Sequence, residues 1–303
     1  MTDKSNSQAY FLLIFVTWGW GCNAIFGKIA VGQISPMSLV SLRWIGVLIL
    51  LLIFARRQVV KDWPVLRQHL VYLALMGMAG FTLFNALFYV AAHKTSAINI
   101  GIIQGSIPVF VFLGTYLFFH TKISSVQITG ACITFIGVII VATKGEITQL
   151  LNLTINQGDL FMLLACFLYA TYSIGLSRRP DVSPLSLFTL LAGFAFLGSL
   201  PLLAIEIHQQ GFQAPTTTGW VIAGLVTLLP SFISQLMFIH AIGLVGPGRS
   251  GMFVNLVPIF ASIMAVFYLG ETFEVFHALS LGLVLCGICL AEFGKRHTLL
   301  AKA

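Results

Sequence analysis

Charge is what this chain is short of. Only 8% of its 303 residues are Asp, Glu, Lys or Arg, against about 25% in an ordinary soluble domain. Nine acids and sixteen bases do not coat a water-exposed globule of this length. The apolar share is 58%, so the surrounding solvent has to be largely lipid. Catalytic patterns are lacking too. G-x-S-x-G and H-E-x-x-H do not occur, so neither a nucleophile elbow nor a helical zinc site is expected. Cys22, Cys132, Cys166, Cys286 and Cys289 all fall in apolar runs and read as small packing residues. Cys286 and Cys289 form a C-x-x-C without a second Cys/His pair, which argues against zinc or redox chemistry. "GCNAIFGK" (21–28) imitates a phosphate loop but has five residues between its glycines and Ile29 where a hydroxyl should hold magnesium. No enzyme activity, metal or cofactor is expected.

What is present is a series of long apolar runs. A bilayer needs about 20 mainly apolar residues per helix. Ten runs qualify, near 9–30, 37–55, 70–92, 97–119, 125–143, 158–177, 185–206, 219–242, 249–270 and 275–293. Turn and charge clusters such as Ser35-Pro36, Arg56-Arg57, Lys122 and Gly246-Pro247-Gly248 separate them. The first run is long enough to span and others follow it, so a cleavable leader is not expected. The net charge of +7 is scattered between the runs rather than gathered on one face, so no nucleic-acid partner is expected. With a cytoplasmic N-terminus, the inner loops hold Lys4, Arg56, Arg57, Lys61, Arg67, Lys122, Arg178, Arg179, Arg249, Lys295, Arg296 and Lys302. The outer loops hold only Lys28, Lys94 and Lys144, and Arg43 lies within a run. Twelve against three predicts both termini on the cytoplasmic side.

The chain also repeats itself. "GIIQGSIPVFVF" (101–112) matches "GMFVNLVPIFAS" (251–262), aligning Gly101, Pro108 and Phe110 with Gly251, Pro258 and Phe260. The same spacing aligns Gly137 with Gly287, and Ser35-Pro36 matches Ser183-Pro184 two residues off it. Ten runs are then two diverged copies of five. Because five is odd, the second copy enters the membrane in the opposite direction. The expected fold is an all-α integral membrane protein of ten transmembrane helices, arranged as two inverted five-helix repeats over 9–143 and 157–294. Such repeats place a binding site at their interface near the midplane.

Several stretches resemble the EamA domain of the drug/metabolite transporter superfamily. "YLGETFEVFHALSLGLVLCGICLA" (268–291) and the weaker "FFHTKISSVQITGACITFIGVIIVA" (118–142) look like the end of that domain. "TWGWGCNAIFGKIA" (17–30) and "SLRWIGVLILLL" (41–52) look like its first two helices. The likeness covers nearly the whole chain, with one departure: His120-Thr121 stands where the second half has Gly270-Glu271. It implies a ten-helix carrier that works without ATP, of the kind that moves amino acids, other metabolites, nucleotide sugars or drugs.

The candidate site follows from polar residues inside the runs. Gly101, Gly105 and Pro108 share one helical face, as do Gly251, Asn255 and Pro258. Proline removes a backbone hydrogen bond and allows a bend. These helices are either the gating wall of a central cavity or a tight packing seam with a tolerated kink. Buried amides need partners or water, so Asn23, Asn85, Gln104, Gln235 and Asn255 should face the bundle interior. They either hold a polar substrate or bridge helices. Tyr89, Tyr169 and Tyr172 are further candidates. Arg43, whose planar fork suits a carboxylate, either receives one from a substrate or anchors its helix. Glu206, Glu271, Glu274 and Glu292 sit at run ends as solvated or capping groups, and His93 and His240 read as bystanders. Asn152, Leu153 and Thr154 form a sequon that matters only in a secretory pathway.

A site of amides, tyrosines and one Arg suits a zwitterion with an apolar side chain. The expected function is export of small uncharged metabolites, neutral amino acids (aromatic ones included) foremost, by alternating access in a bacterial inner membrane. Lower-ranked alternatives are a nucleotide-sugar or drug carrier and a non-transporting scaffold. Phosphorylated sugars need several buried cations. No acid sits within the first run to exchange cationic drugs for protons.

Overall fold

The computed structural model describes residues 2–119, 124–146 and 156–300. His120, Thr121, Lys122, the sequon at Asn152 to Thr154 and Lys302 lie outside them, as do the side chains of Lys4, Glu292, Lys295 and Arg296. Among the described residues every regular element is helical. Eight helices among the described residues are long and apolar enough to cross a membrane, and Val275–Ala291 is a shorter apolar helix.

In chain order the helices are α1 (Thr2–Ile29), α2 (Pro36–Leu66), α3 (Leu70–Gly77), α4 (Phe84–Ala92), α5 (Ala97–Gln104), α6 (Ile107–Phe119), α7 (Ser125–Ala142), α8 (Gln157–Gly175), α9 (Pro184–Gln210), α10 (Thr217–Val226), α11 (Ser234–Val245), α12 (Pro247–Phe253), α13 (Val257–Leu269) and α14 (Val275–Leu300). The second and third expected runs differ from expectation. α2 continues through Arg56 and Arg57, because charge ends a lipid contact without breaking backbone hydrogen bonds. The axis instead breaks at a 3-10 turn, Arg67–His69, where His69 leaves helical geometry at φ −120°, ψ 16°.

Three other breaks begin four residues before a proline, the position whose carbonyl a proline cannot serve. Gln104, four before Pro108, ends α5. Val254, four before Pro258, opens a 3-10 turn. Val226, four before Pro230, ends α10 ahead of a π-turn over Thr227–Ile233. There the Ser231 hydroxyl donates to the freed Val226 carbonyl. A second π-turn, Met78–Leu83, separates α3 from α4. Breaks at 105–106 and 254–256, and π-turns at 78–83 and 227–233, stand about 150 residues apart.

Packing follows the same exchange. α2 packs on α9, and α7 on α14; α1 lies against α11 and α13, as α8 lies against α4 and α6. α2 and α9 run antiparallel and cap each other. Glu206, near the end of α9, accepts from Ser35 Oγ (2.6 Å) and Met37 N (3.2 Å) at the start of α2. Asp62, near the end of α2, accepts from Ser183 N (3.0 Å) at the start of α9. Bare backbone brings α7 and α14 together: a Cβ at Gly130 would sit 2.7 Å from Ala291 N, and one at Gly137 2.9 Å from Ser280 O.

Candidate functional site

The four breaks meet around one cavity of about 100 Å³. Asn23, Arg43, Asn85, Gln104, Tyr169, Gln235 and Asn255 line it, with Gly105, Pro108 and Pro258. The breaks before Pro108 and Pro258 leave Gln104 and Asn255 beside those prolines in its wall.

Arg43 is 6% exposed and is its one charged lining residue. The two hydrogens of its Nη1 are shared among Asn23 Oδ1 (2.9 Å), Asn85 Oδ1 (2.8 Å) and Tyr89 Oη (2.7 Å). Tyr89 in turn donates to Asn23 Oδ1 (3.1 Å), and Asn85 Nδ2 to Phe81 O (2.6 Å). α1, α2 and α4 are thereby tied to one nitrogen. No carboxylate among the described residues takes part. Neutral oxygens hold the guanidinium in place and leave its charge uncancelled. Its Nε makes no hydrogen bond to the described residues, nor does Trp44 Nε1 or Gln104 Nε2. All three are donors on cavity-lining residues.

Aromatic rings form the rest of the wall. Trp44 stacks on Phe81 (centroids 4.6 Å, 8°), and Phe188 meets Phe81 edge-on at 6.0 Å. Phe84 lies 5.0 Å from Tyr169. The Arg43 guanidinium carbon sits 5.4 Å from the Trp44 ring centroid, within cation–π range. Trp20 Nε1 donates to Pro230 O (3.0 Å), taking up a second carbonyl of the π-turn.

Four expected residues sit elsewhere. Tyr89 braces Arg43 from behind without lining the cavity. Tyr172 is buried against Phe81 (5.1 Å) and over Gly80. Gly101 is a packing site, where a Cβ would meet Ala261 Cβ at 2.6 Å. Gly251 is exposed, with open space where a Cβ would go. A continuous helical face would align Gly101 with Pro108 and Gly251 with Pro258, and the breaks at 105–106 and 254–256 interrupt both faces. The walls contributed by Trp44, Phe81, Phe84, Phe188 and Pro230 were missed. Mid-run Pro230 was the one usable signal, because apolar aromatics look alike facing lipid, core or cavity.

A family model described as the EamA-like transporter family matches this chain twice, over residues 7–143 and 156–293. The chain belongs to that family. It is 27% identical over 289 residues to the uncharacterized transporter YyaM of Bacillus subtilis, covering 93% of each chain. It is 25% identical to an uncharacterized transporter of Archaeoglobus fulgidus, over 96% of this chain and 99% of that one. It is 24% identical to the uncharacterized inner membrane transporter YedA of Escherichia coli K12, over 91% and 88%. A solved protein structure superposes with TM-score 0.65 at 14% identity, over 96% of this chain and 99% of its own, a likeness of fold alone. This EamA chain is therefore an integral membrane transporter of the drug/metabolite transporter superfamily. A small-molecule substrate and a lipid environment go with that family.

Proposed function

We propose that this transporter exports small uncharged metabolites, neutral amino acids including aromatic ones foremost, by alternating access. One observation carries the reading: Arg43, held by neutral oxygens with Nε unpaired, stands beside an aromatic wall. A substrate carboxylate would complete the guanidinium fork. Gln235 and Asn255 across the cavity offer amide oxygens to an ammonium, and Trp44, Phe81, Phe84 and Tyr169 suit an apolar side chain. The wall holds no acid for a quaternary amine. It has one cation, where a nucleotide sugar calls for several.

The membrane arrangement belongs to the same proposal: ten spans, two inverted repeats over 9–143 and 157–294, both termini cytoplasmic, in a bacterial inner membrane. The double family match, the paired breaks and the exchange-symmetric packing support the repeats. Counting Pro36–Ala92, a 57-residue run with its 3-10 break, as two spans and adding Val275–Ala291 supports ten. The positive-inside count supports the orientation.

The test is counterflow in proteoliposomes preloaded with unlabelled amino acids and offered labelled Phe, Leu, Met or Thr, with a nucleotide sugar and a quaternary amine as controls. Saturable exchange of the amino acids is expected, lowered about tenfold or more by Gln104→Ala or Arg43→Ala, one decade being about 1.4 kcal/mol of binding. Gln104→Ala is the cleaner variant, since its Nε2 bonds no described residue. Exchange of a control alone overturns the substrate class and leaves the carrier.

A further inference from the structure

A second buried polar chain lies apart from the cavity, where the α4–α5 loop meets the starts of α8 and α14. Asp159 is 3% exposed, and Asn99 and His277 are 5% exposed. Thr95 Oγ1 donates to Asp159 Oδ1 at 2.5 Å, and Asn99 Nδ2 donates to the two carboxylate oxygens at 3.3 and 3.2 Å. The other side of that amide, Oδ1, faces His277 Nε2 at 3.2 Å. His277 Nδ1 accepts the Glu274 N–H at 3.0 Å. A backbone N–H only donates and an amide oxygen only accepts. Nδ1 is therefore bare, Nε2 carries the hydrogen, and the imidazole is neutral. Asp159 sets this indirectly, because its carboxylate turns the NH₂ side of Asn99 toward itself.

The first half builds the same cap without a titrating group. Gln127 stands 150 residues before His277, and its Oε1 accepts the Ser124 N–H at 3.0 Å at the start of α7. Residues 8–11, which correspond to Asp159, include no acid, and Arg249 stands opposite Asn99. Among the described residues the polar chain has no counterpart at the corresponding place in the first half. Five charges surround it. Glu271, Glu274 and Lys144 act on His277, and Lys144 also acts on Asp159. Lys94 donates to Gln157 Oε1 (3.1 Å), and Lys28 to Thr95 O (2.7 Å). Glu271 is itself engaged, accepting from Ala97 N (2.8 Å) and Ile98 N (3.0 Å) at the start of α5.

A proton arriving at His277 has one place to go. It binds Nδ1 and sets an N–H against the Glu274 N–H, so the α14 cap is lost and no new partner is gained. Glu274 itself is exposed at the surface one turn away.

We propose that His277 is a proton-binding site whose occupation releases the cap that fixes the start of α14, with Asp159 and Asn99 as its positioning residues. Neutral His277 holds this end of the carrier shut, and protonated His277 lets it open. The inference rests on the topology proposed above in one respect: there, this end faces outside the cell, the proton-rich side of an energised membrane. Acid on that side would then favour the outward-open state.

Hydrogen–deuterium exchange of the full chain in nanodiscs tests this at about pH 5 and about pH 8, either side of an ordinary histidine, with rates corrected for the intrinsic pH dependence. Segment 271–280 is expected to lose about tenfold protection at acid pH, while 184–199 in α9 keeps its own. His277→Gln, which copies the cap at Gln127, is expected to stay protected at both. Asp159→Asn, which frees the Asn99 amide to turn, is expected to be loosened at both. Equal wild-type protection at the two pH values overturns the proposal and needs no variant. So does an undiminished acid response in His277→Gln, or a uniform loss across the chain, which is plain acid unfolding. No substrate is present, so the result is independent of what the cavity carries.

Discussion

Arg43 shows how a buried charge is kept without an opposite charge. Burying an unpaired ion in an apolar medium is costly, and hydrogen bonds from fixed neutral dipoles offset part of that cost. Tyr89 gives the clearest reading of the clamp, because it touches Arg43 without lining the cavity. Tyr89→Phe removes one acceptor of a charged donor, a change worth about 1.5–3 kcal/mol. Denaturant titration of the purified protein should show that loss, with substrate exchange reduced as the guanidinium gains freedom. Unchanged stability would mean that Asn23 and Asn85 hold Arg43 by themselves. Asn23, Arg43 and Asn85 were each legible in the sequence, because a polar side chain in an apolar run needs an explanation. Their convergence on one nitrogen was not, since they lie on three helices.

At the scale of elements, the helix breaks shape the cavity. Three of them lie beside prolines, although Pro64 and Pro201 sit inside unbroken helices. The π-turn at Met78–Leu83 contains no proline. Its Gly80 supports Tyr172, and a Cβ there would stand 2.6 Å from Tyr172 Cβ, too close without displacement. Gly80→Ala should cost about 1–3 kcal/mol through overpacking, seen as a lowered unfolding temperature in detergent. Gly224→Ala is the control, since a Cβ at Gly224 meets nothing within 4 Å, and should leave that temperature nearly unchanged. Equal behaviour of the two variants would remove Gly80 from the wall's support.

At the scale of the whole molecule, cross-links between the two family matches concentrate at one end. The α1–α2 loop meets the start of α10, where Thr216 N donates to Gln33 O at 2.9 Å and Thr216 Oγ1 to Gln33 Oε1 at 2.6 Å. Glu206, Glu271 and the Asp159 chain lie at the same end under the proposed topology. A carrier that rocks must separate these contacts in each cycle. In a background without the exposed Cys132, Cys286 and Cys289, Gln33→Cys with Thr216→Cys should form a disulfide on oxidation. Exchange should then fall about tenfold or more and return with reductant, because locking one end blocks alternating access. Full exchange through the locked pair would show that this end does not open.

The lipid solvent, the helical class and two matching stretches of one family were legible in the residues alone. Those properties are carried by composition, run length and spacing, which are local or periodic. Family membership was legible for the same reason, in stretches such as 268–291. The tertiary structure decided which polar residues meet. Gln104, Gln235 and Asn255 reach one cavity beside the breaks at prolines 108, 230 and 258, while Gly101 packs on Ala261 and Gly251 is exposed. It also decided that His277 and Asp159, unremarkable at the ends of apolar runs, are joined through Asn99. Side-chain direction after a break, and contact between residues more than a hundred positions apart, depend on how helices pack, and no local pattern encodes that.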